Sequence, residues 1–214
     1  MIFKVDDHPN AGMDTRISLR CPAPGCRQMG TLEPIGSNDI VSSNNFLFGQ
    51  RRCPNPKCRT HIFFAYSRSQ GQILGSYPPE RIDFDATNIP PPVTSAFEEA
   101  LTCHAHRCFV AAAIMVRKTL EELCRERGAQ GGNLKERIHA LGTKVVLPKE
   151  LLDGLDNLRL LGNDAAHVES QEFNQVGQQE VELSIDVAKE VLKAVYQYSA
   201  LVDRLQALKK LTRP

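Results

Sequence analysis

Four of the chain's seven cysteines are written to one pattern, and they are the residues with the clearest chemistry to offer. Cys21-Pro-Ala-Pro-Gly-Cys26-Arg and Cys53-Pro-Asn-Pro-Lys-Cys58-Arg both read C-P-x-P-x-C-R, with 26 residues between Cys26 and Cys53. Tetrahedral zinc takes four thiolates at about 2.3 Å, and two tight turns that each present a pair of sulfurs deliver that set. The prolines stiffen each turn, and Gly25 leaves the first free to aim backbone N–H groups at sulfur. Four residues inside each pair is wider than the commonest two but within the usual range. Cysteines that are merely buried or disulfide-bonded have no reason to share two prolines. The pattern therefore predicts one zinc held by Cys21, Cys26, Cys53 and Cys58. Iron is the alternative ion, and His61, three residues past Cys58, is the alternative to one thiolate. Four protein ligands leave no open position for an activated water, so the expected metal is structural.

Three further groups call for weighing. Cys103, His104, His106 and Cys108 look like a second ligand set. On a continuous helix, though, Cys103 and Cys108 stand about 140° apart, which makes core cysteines and surface histidines the plainer reading. Cys124 reads as a small buried residue. Arg117 and Glu121 are one helical turn apart, and Arg159, Asn163 and His167 fall at i, i+4 and i+8. Those three share one sector if the helix runs through Gly162. Gly162 could instead end that helix and leave Asn163 to cap the next. The cluster is then either a polar site for a phosphate or a hydrogen-bonded junction between helices.

The elements that must position these groups divide at a run of prolines. Before residue 85 the pattern is short strands and turns: Thr15–Arg20 alternates, Thr60–Tyr66 is β-branched and aromatic, and both abut a cysteine pair. Gln72–Tyr77 reads as one more strand. Asn88-Ile-Pro-Pro-Pro-Val93 is read as a stiff extended linker. From Ser95-Ala-Phe-Glu98, which has capping-box spacing, the period turns helical and runs to Gly128 as one helix or as two with a break near His106-Arg107. Asn133–Glu136 caps a short helix to about Leu141, and Pro148 opens another through Leu161. The last element, from about Gln179 to Leu211, repeats apolar residues every three or four positions (Val181, Ile185, Ala188, Val191 or Leu192, Val195, Tyr198, Val202, Leu205, Leu208) and reads as one amphipathic helix. The expected class is α+β: a zinc ribbon over 1–85, a proline-rich linker over 86–93, and a helical bundle over 94–214.

Composition narrows the setting. Hydrophobic residues at 42% and charged residues at 24% are those of a soluble globular chain. No run approaches the roughly 20 apolar residues of a membrane span, and the N-terminus lacks the order of a secretory signal, so the expected location is the cytoplasm. An odd number of cysteines fits thiols kept reduced. Net charge is +1, unlike a polycation that coats nucleic acid. Within 14–68, however, Arg16, Arg20, Arg27, Arg51, Arg52, Lys57, Arg59 and Arg68 face only Asp14, Glu33 and Asp39. A mild basic bias on the metal-binding part permits contact with phosphates. Gly-rich phosphate loops, serine-nucleophile elbows and paired-carboxylate nuclease motifs are all missing from the sequence.

Residues 90–205 resemble the bacterial domain-of-unknown-function family numbered 4145. The resemblance rests on A-x-x-x-R-x-x-L-E, here Ala113, Arg117, Leu120 and Glu121. It rests also on L-R-x-x-G-N-x-A-A-H, here Leu158, Arg159, Gly162, Asn163, Ala165, Ala166 and His167. The family recurs in phage-defence proteins and is similar to HEPN helical domains, many of them metal-independent ribonucleases. That resemblance implies an Arg that steadies the phosphate and a His that transfers protons as the ribose 2′-OH attacks, here Arg159 and His167, with Asn163 between and Arg117 and Glu121 in support. Gly162 stands where the ribonuclease pattern has Arg, and Arg159 lies farther from His167 than that pattern allows. The reading is therefore a non-catalytic adaptor or nucleic-acid-associated protein, paired through its helices and working with nucleic acid or a defence protein. A ribonuclease effector and a nucleotide-binding regulatory subunit are the alternatives.

Overall fold

The computed structural model describes residues 10–11, 15–23, 26, 28–36, 38–42, 45–166 and 176–211. The chain separates into two compact units, Met1–Asp83 and Phe84–Pro214. The class is α+β: among the described residues, strands are confined to the first unit and helices to the second.

The first unit holds eight short strands among its described residues: β1 (Asn10–Ala11), β2 (Ser18–Arg20), β3 (Met29–Thr31), β4 (Glu33–Pro34), β5 (Asp39–Val41), β6 (Phe46–Arg52), β7 (His61–Ser67) and β8 (Gln72–Tyr77). β2 and β3 form a separate antiparallel hairpin. The main antiparallel sheet runs β1-β5-β6-β7-β8, with β4 pairing the far end of β6. Strand alternation sorts the side chains by face. In β7, Ile62 and Phe64 turn inward while His61 and Phe63 turn out. The inward set joins Ile17, Leu19, Leu32 and Leu47 in the core, with Val41, Tyr66 and Ile73 packed around it.

That core contains a buried ion pair. Arg51 continues the inward series of Leu47 and Gly49, and its guanidinium makes a two-pronged contact with Asp39 (2.7 and 2.6 Å). The two side chains are 1% and 0% exposed. The guanidinium also donates to the Gln50 and Thr15 carbonyls and lies 4.7 Å over the Phe64 ring. Gly49 makes the room: a Cβ there would come within 2.0 Å of the Asp39 carboxylate.

The second unit contains, among the described residues, α1 (Pro91–Ala105), α2 (Phe109–Glu126), α3 (Leu134–Gly142), α4 (Lys149–Ala166), α5 (Gln178–Leu192), a π stretch (Lys193–Gln197) and α6 (Tyr198–Leu211). None of them is long and apolar enough to cross a membrane. α2 lies at the centre, in contact with α1, α3, α4 and α5. It buries Ala112, Ala113, Val116, Leu120, Leu123 and Cys124.

Several boundaries differ from the sequence reading, each for a local reason. α1 begins at Pro91, not near Ser95, because proline is at home in a first turn whose N–H groups have no partner. The last three residues read as linker are therefore helical. α1 and α2 are two helices, divided where Arg107 takes a positive φ of 62°. α4 passes straight through Gly162 to Ala166. The last helix is interrupted by the π stretch, which closes through the Tyr198 N–H and the Lys193 carbonyl. The caps at Asn133 and Pro148 stand as read: Asn133 Oδ1 accepts from the Glu136 N–H at 3.0 Å, and α4 starts just after Pro148.

Candidate metal centre

Both cysteine pairs sit where a strand ends, Cys21 after β2 and Cys53 after β6. The repeated sequence makes a repeated structure. The Cys21 N–H donates to the Gln28 carbonyl and the Cys53 N–H to the Thr60 carbonyl, each seven residues on and each at 2.9 Å. The Cys26 N–H donates to the Ala23 carbonyl at 3.0 Å, and the Cys58 N–H to the Asn55 carbonyl at 2.9 Å. Each turn thus aims two sulfurs the same way.

The four sulfurs lie within 4.8 Å of one another. Cys21 Sγ is 3.6 Å from Cys58 Sγ, and Cys26 Sγ is 3.6 Å from Cys53 Sγ. A tetrahedron with metal–sulfur bonds of about 2.3 Å has edges of about 3.8 Å, whereas a disulfide needs about 2.05 Å. The spacing fits four ligands around one ion and does not fit two disulfides. Backbone N–H groups two residues on point back at sulfur: Ala23 at Cys21, Gln28 at Cys26 and Asn55 at Cys53. The Asn55 side chain reaches across to Cys26 Sγ at 3.4 Å, and Thr60 Oγ1 lies 3.0 Å from Cys58 Sγ. Such donors relieve the charge of a four-thiolate set. In the metal-free chain the backbone N–H of Gln28 brings the Cys26 thiol down to about 7. Burial pushes Cys53 up to about 12. Among the described residues this is the one group of histidine, cysteine and acidic side chains arranged for a metal.

Two of the alternative ligands, His61 and His104, are engaged elsewhere. His61 Nε2 lies 2.8 Å from Gln50 Oε1, and its ring stacks on Phe63 with centroids 4.7 Å apart. His104 Nε2 meets Glu182 Oε1 at 3.1 Å. Cys103 belongs to α1, Cys108 is exposed at the start of α2, and Cys124 is buried.

The polar residues of the second unit lie at the crossing of α2 and α4. Gly162 is buried there, and a Cβ at that position would stand 2.5 Å from Arg117 Cβ and 3.1 Å from the Ala113 carbonyl oxygen. An arginine in place of Gly162 has no room. The Arg117 guanidinium donates to the Arg159 carbonyl at 3.1 Å and lies 3.5 Å from Glu121. Arg159 turns to Asp156 at 2.7 Å and holds that carboxyl below the usual carboxylate range. The crossing thus gathers Arg117, Glu121 and Arg159. Asn163 lies one turn further along α4, and His167 lies outside the described residues.

One surface feature escaped the sequence reading. The outer face of the main sheet carries Phe63 and Tyr77, paired in register and 48% and 66% exposed. Beside them stand His61, Gln50 and Arg52. Alternation in Thr60–Tyr66 was the available signal.

Fold and site together define a class: a β unit with a four-cysteine centre followed by a helical bundle. The family model for a domain of unknown function, DUF4145, matches residues 98–210, and the chain belongs to that family. No curated protein and no solved structure gives a significant match.

Proposed function

We propose that the chain is a zinc-dependent binding protein rather than a metalloenzyme, with its β unit contacting single-stranded nucleic acid and its helical unit pairing two copies. The carrying observation is the closed set of four sulfurs at tetrahedral spacing, which leaves no position for a substrate. The small sheet then depends on the ion for its fold. Its outer face offers what a strand of bases needs: the adjacent flat rings of Phe63 and Tyr77, the His61 ring, and at the rim the Arg52 guanidinium, whose Nε is held by Glu33 at 2.7 Å. The basic excess over 14–68 supports attraction to phosphates. Phage defence is the setting we attach to this reading, on the family resemblance alone.

The test uses the zinc-loaded full chain and fluorescent single-stranded DNA and RNA, with anisotropy read at low and moderate salt. Stacking of about 1–3 kcal/mol per base predicts that Phe63→Ala with Tyr77→Ala weakens binding at least 10-fold with zinc content unchanged. Absence of binding by the wild type at low salt would sink the nucleic-acid reading. The same RNA samples test the ribonuclease alternative. That alternative is favoured by Arg159 and Asn163 standing one turn apart on α4 with Arg117 across the crossing. Against it weigh the engagement of Arg159 by Asp156 and the close packing at Gly162. Chelator-resistant RNA cleavage that disappears in His167→Ala at unchanged melting temperature would replace the binding reading with the enzymatic one.

A further inference from the structure

α1 and α2 end in the same left-handed turn. At the end of α2 the Gly128 N–H donates to the Arg125 carbonyl at 3.1 Å and the Ala129 N–H to the Cys124 carbonyl at 2.8 Å, with Gly128 at a φ of 63°. At the end of α1 the Arg107 N–H donates to the His104 carbonyl at 2.8 Å and the Cys108 N–H to the Cys103 carbonyl at 2.9 Å, with Arg107 at 62°. A cap of this kind folds its outer residues together, and their side chains commonly touch. In α2 that slot holds Cys124 and Ala129, both buried. In α1 it holds two thiols, Cys103 half-buried and Cys108 exposed. The separation of about 140° expected on a continuous helix does not apply, because the helix stops between them.

The hydrogen bond sets a limit on how far apart the pair can be. With ordinary bond lengths on either side of the 2.9 Å link, the Cα atoms of Cys103 and Cys108 stand no more than about 6.8 Å apart. Disulfides span Cα separations of about 4.4–6.8 Å. Cys108 Sγ turns back over the cap, 3.7 Å from the His106 carbonyl oxygen. Burial first, the Glu99 carboxylate second and Cys108 third push the Cys103 thiol up. One thiol is thus open to solvent and the other sheltered beside it. Among the described residues no third cysteine, histidine or carboxylate joins them in a metal-binding set, and the His104 imidazole meets Glu182. What two such thiols can do together is two-electron chemistry.

We propose that Cys103 and Cys108 are a second thiol site, a pair that a peroxide converts to a disulfide while the zinc centre stays loaded. The Cys108 sulfur attacks one oxygen of hydrogen peroxide and the O–O bond breaks. Sulfur is left as a sulfenic acid, and the other oxygen departs as water with the thiol proton. The Cys103 sulfur then attacks the sulfenic sulfur, the S–O bond breaks, and the hydroxyl departs as a second water with the Cys103 proton. Two thiols lose two electrons, one peroxide gains them, and the S–S bond closes the α1–α2 corner.

Mass spectrometry on the zinc-loaded full chain, treated with a few equivalents of hydrogen peroxide and blocked with iodoacetamide, tests the pair. Trypsin cuts after Arg107 and so separates the two cysteines unless a disulfide joins their peptides. The expected product is that linked pair, formed at unchanged zinc content and reversed by dithiothreitol. Cys103→Ser removes the second step, so Cys108 should accumulate as sulfenic acid and take up roughly 10-fold more dimedone than in the wild type. Cys108→Ser should leave Cys103 unreacted over the same interval. Equal dimedone labelling of Cys108 in the wild type and in Cys103→Ser would overturn the pairing. Zinc release before the linked peptides appear would place the sensitive thiols in the metal centre and overturn the site. Failure of both thiols to react would overturn it as well.

Discussion

Asp39 and Arg51 are charged, and both are out of water. A pair of this kind is a poor source of net stability, because desolvating two ions costs about as much as their attraction returns. Its members nevertheless depend on each other completely. Asp39→Ala should cost about 3–5 kcal/mol by leaving the guanidinium buried without its counter-ion, whereas Asp39→Leu with Arg51→Met should recover much of that loss. Urea melts of the zinc-loaded chain, followed by a signal from the sheet, decide this. Equal costs for the single and the double change would remove the pair as the cause. The residue scale is also where the sequence was least uniform as a guide. The metal ligands were legible because identical turns occur twice with identical prolines. The ion pair was not, because its acid comes from β5 and its base from β6, and an Arg51-Arg52 doublet reads as surface. Counting alternate residues from Leu47 would have placed Arg51 inside.

At the scale of elements, pattern located the helices and sterics set their ends. Ser95 and Glu98 have capping-box spacing, yet α1 starts four residues earlier because Pro91 and Pro92 need no N–H partner. Gly162 was read as a possible stop, but its missing side chain brings α4 against α2. Neither outcome is visible without the neighbour. The junction of α2 with the π stretch carries a pH dependence of its own. Tyr196 donates to Glu126 at 2.8 Å, stacks under the Arg127 guanidinium at 4.3 Å, and has its phenol pKa pushed up by burial first and by that carboxylate second. Burial likewise pushes Cys124 up to about 11. A group held neutral in this way gives its full stabilisation below its unfolded pKa and loses it as pH climbs through the folded one. The helical unit should therefore lose melting temperature steadily between about pH 9 and pH 11. Cys124→Ala should lie lower at neutral pH, from its small cavity, and fall less steeply across that window. Parallel slopes for the two proteins would exclude the thiol.

At the scale of the whole chain, the two units rest on different physics. The helical unit buries a conventional core from Ile89 through Tyr196. The β unit buries a smaller one and adds the metal centre. Metal analysis should find about one zinc per chain, and Cys53→Ser should release it. A strong chelator under reducing conditions should then collapse the sheet and abolish nucleic-acid binding while the helical circular dichroism persists. Loss of both signals together would show that the cores are coupled. The α+β class and the order of the two parts were legible because the hydrophobic period changes from two to about 3.6 across the prolines. The close crossing of α2 and α4 was not, since it depends on how helices distant in sequence come to lie.

The span matched by the family, residues 98–210, lies wholly inside the second unit. A genetic crossover between Tyr77 and Ile89 would leave both hydrophobic cores whole. On that footing each unit carries its own core, and the helical one needs nothing from the four-cysteine one to bury its apolar residues.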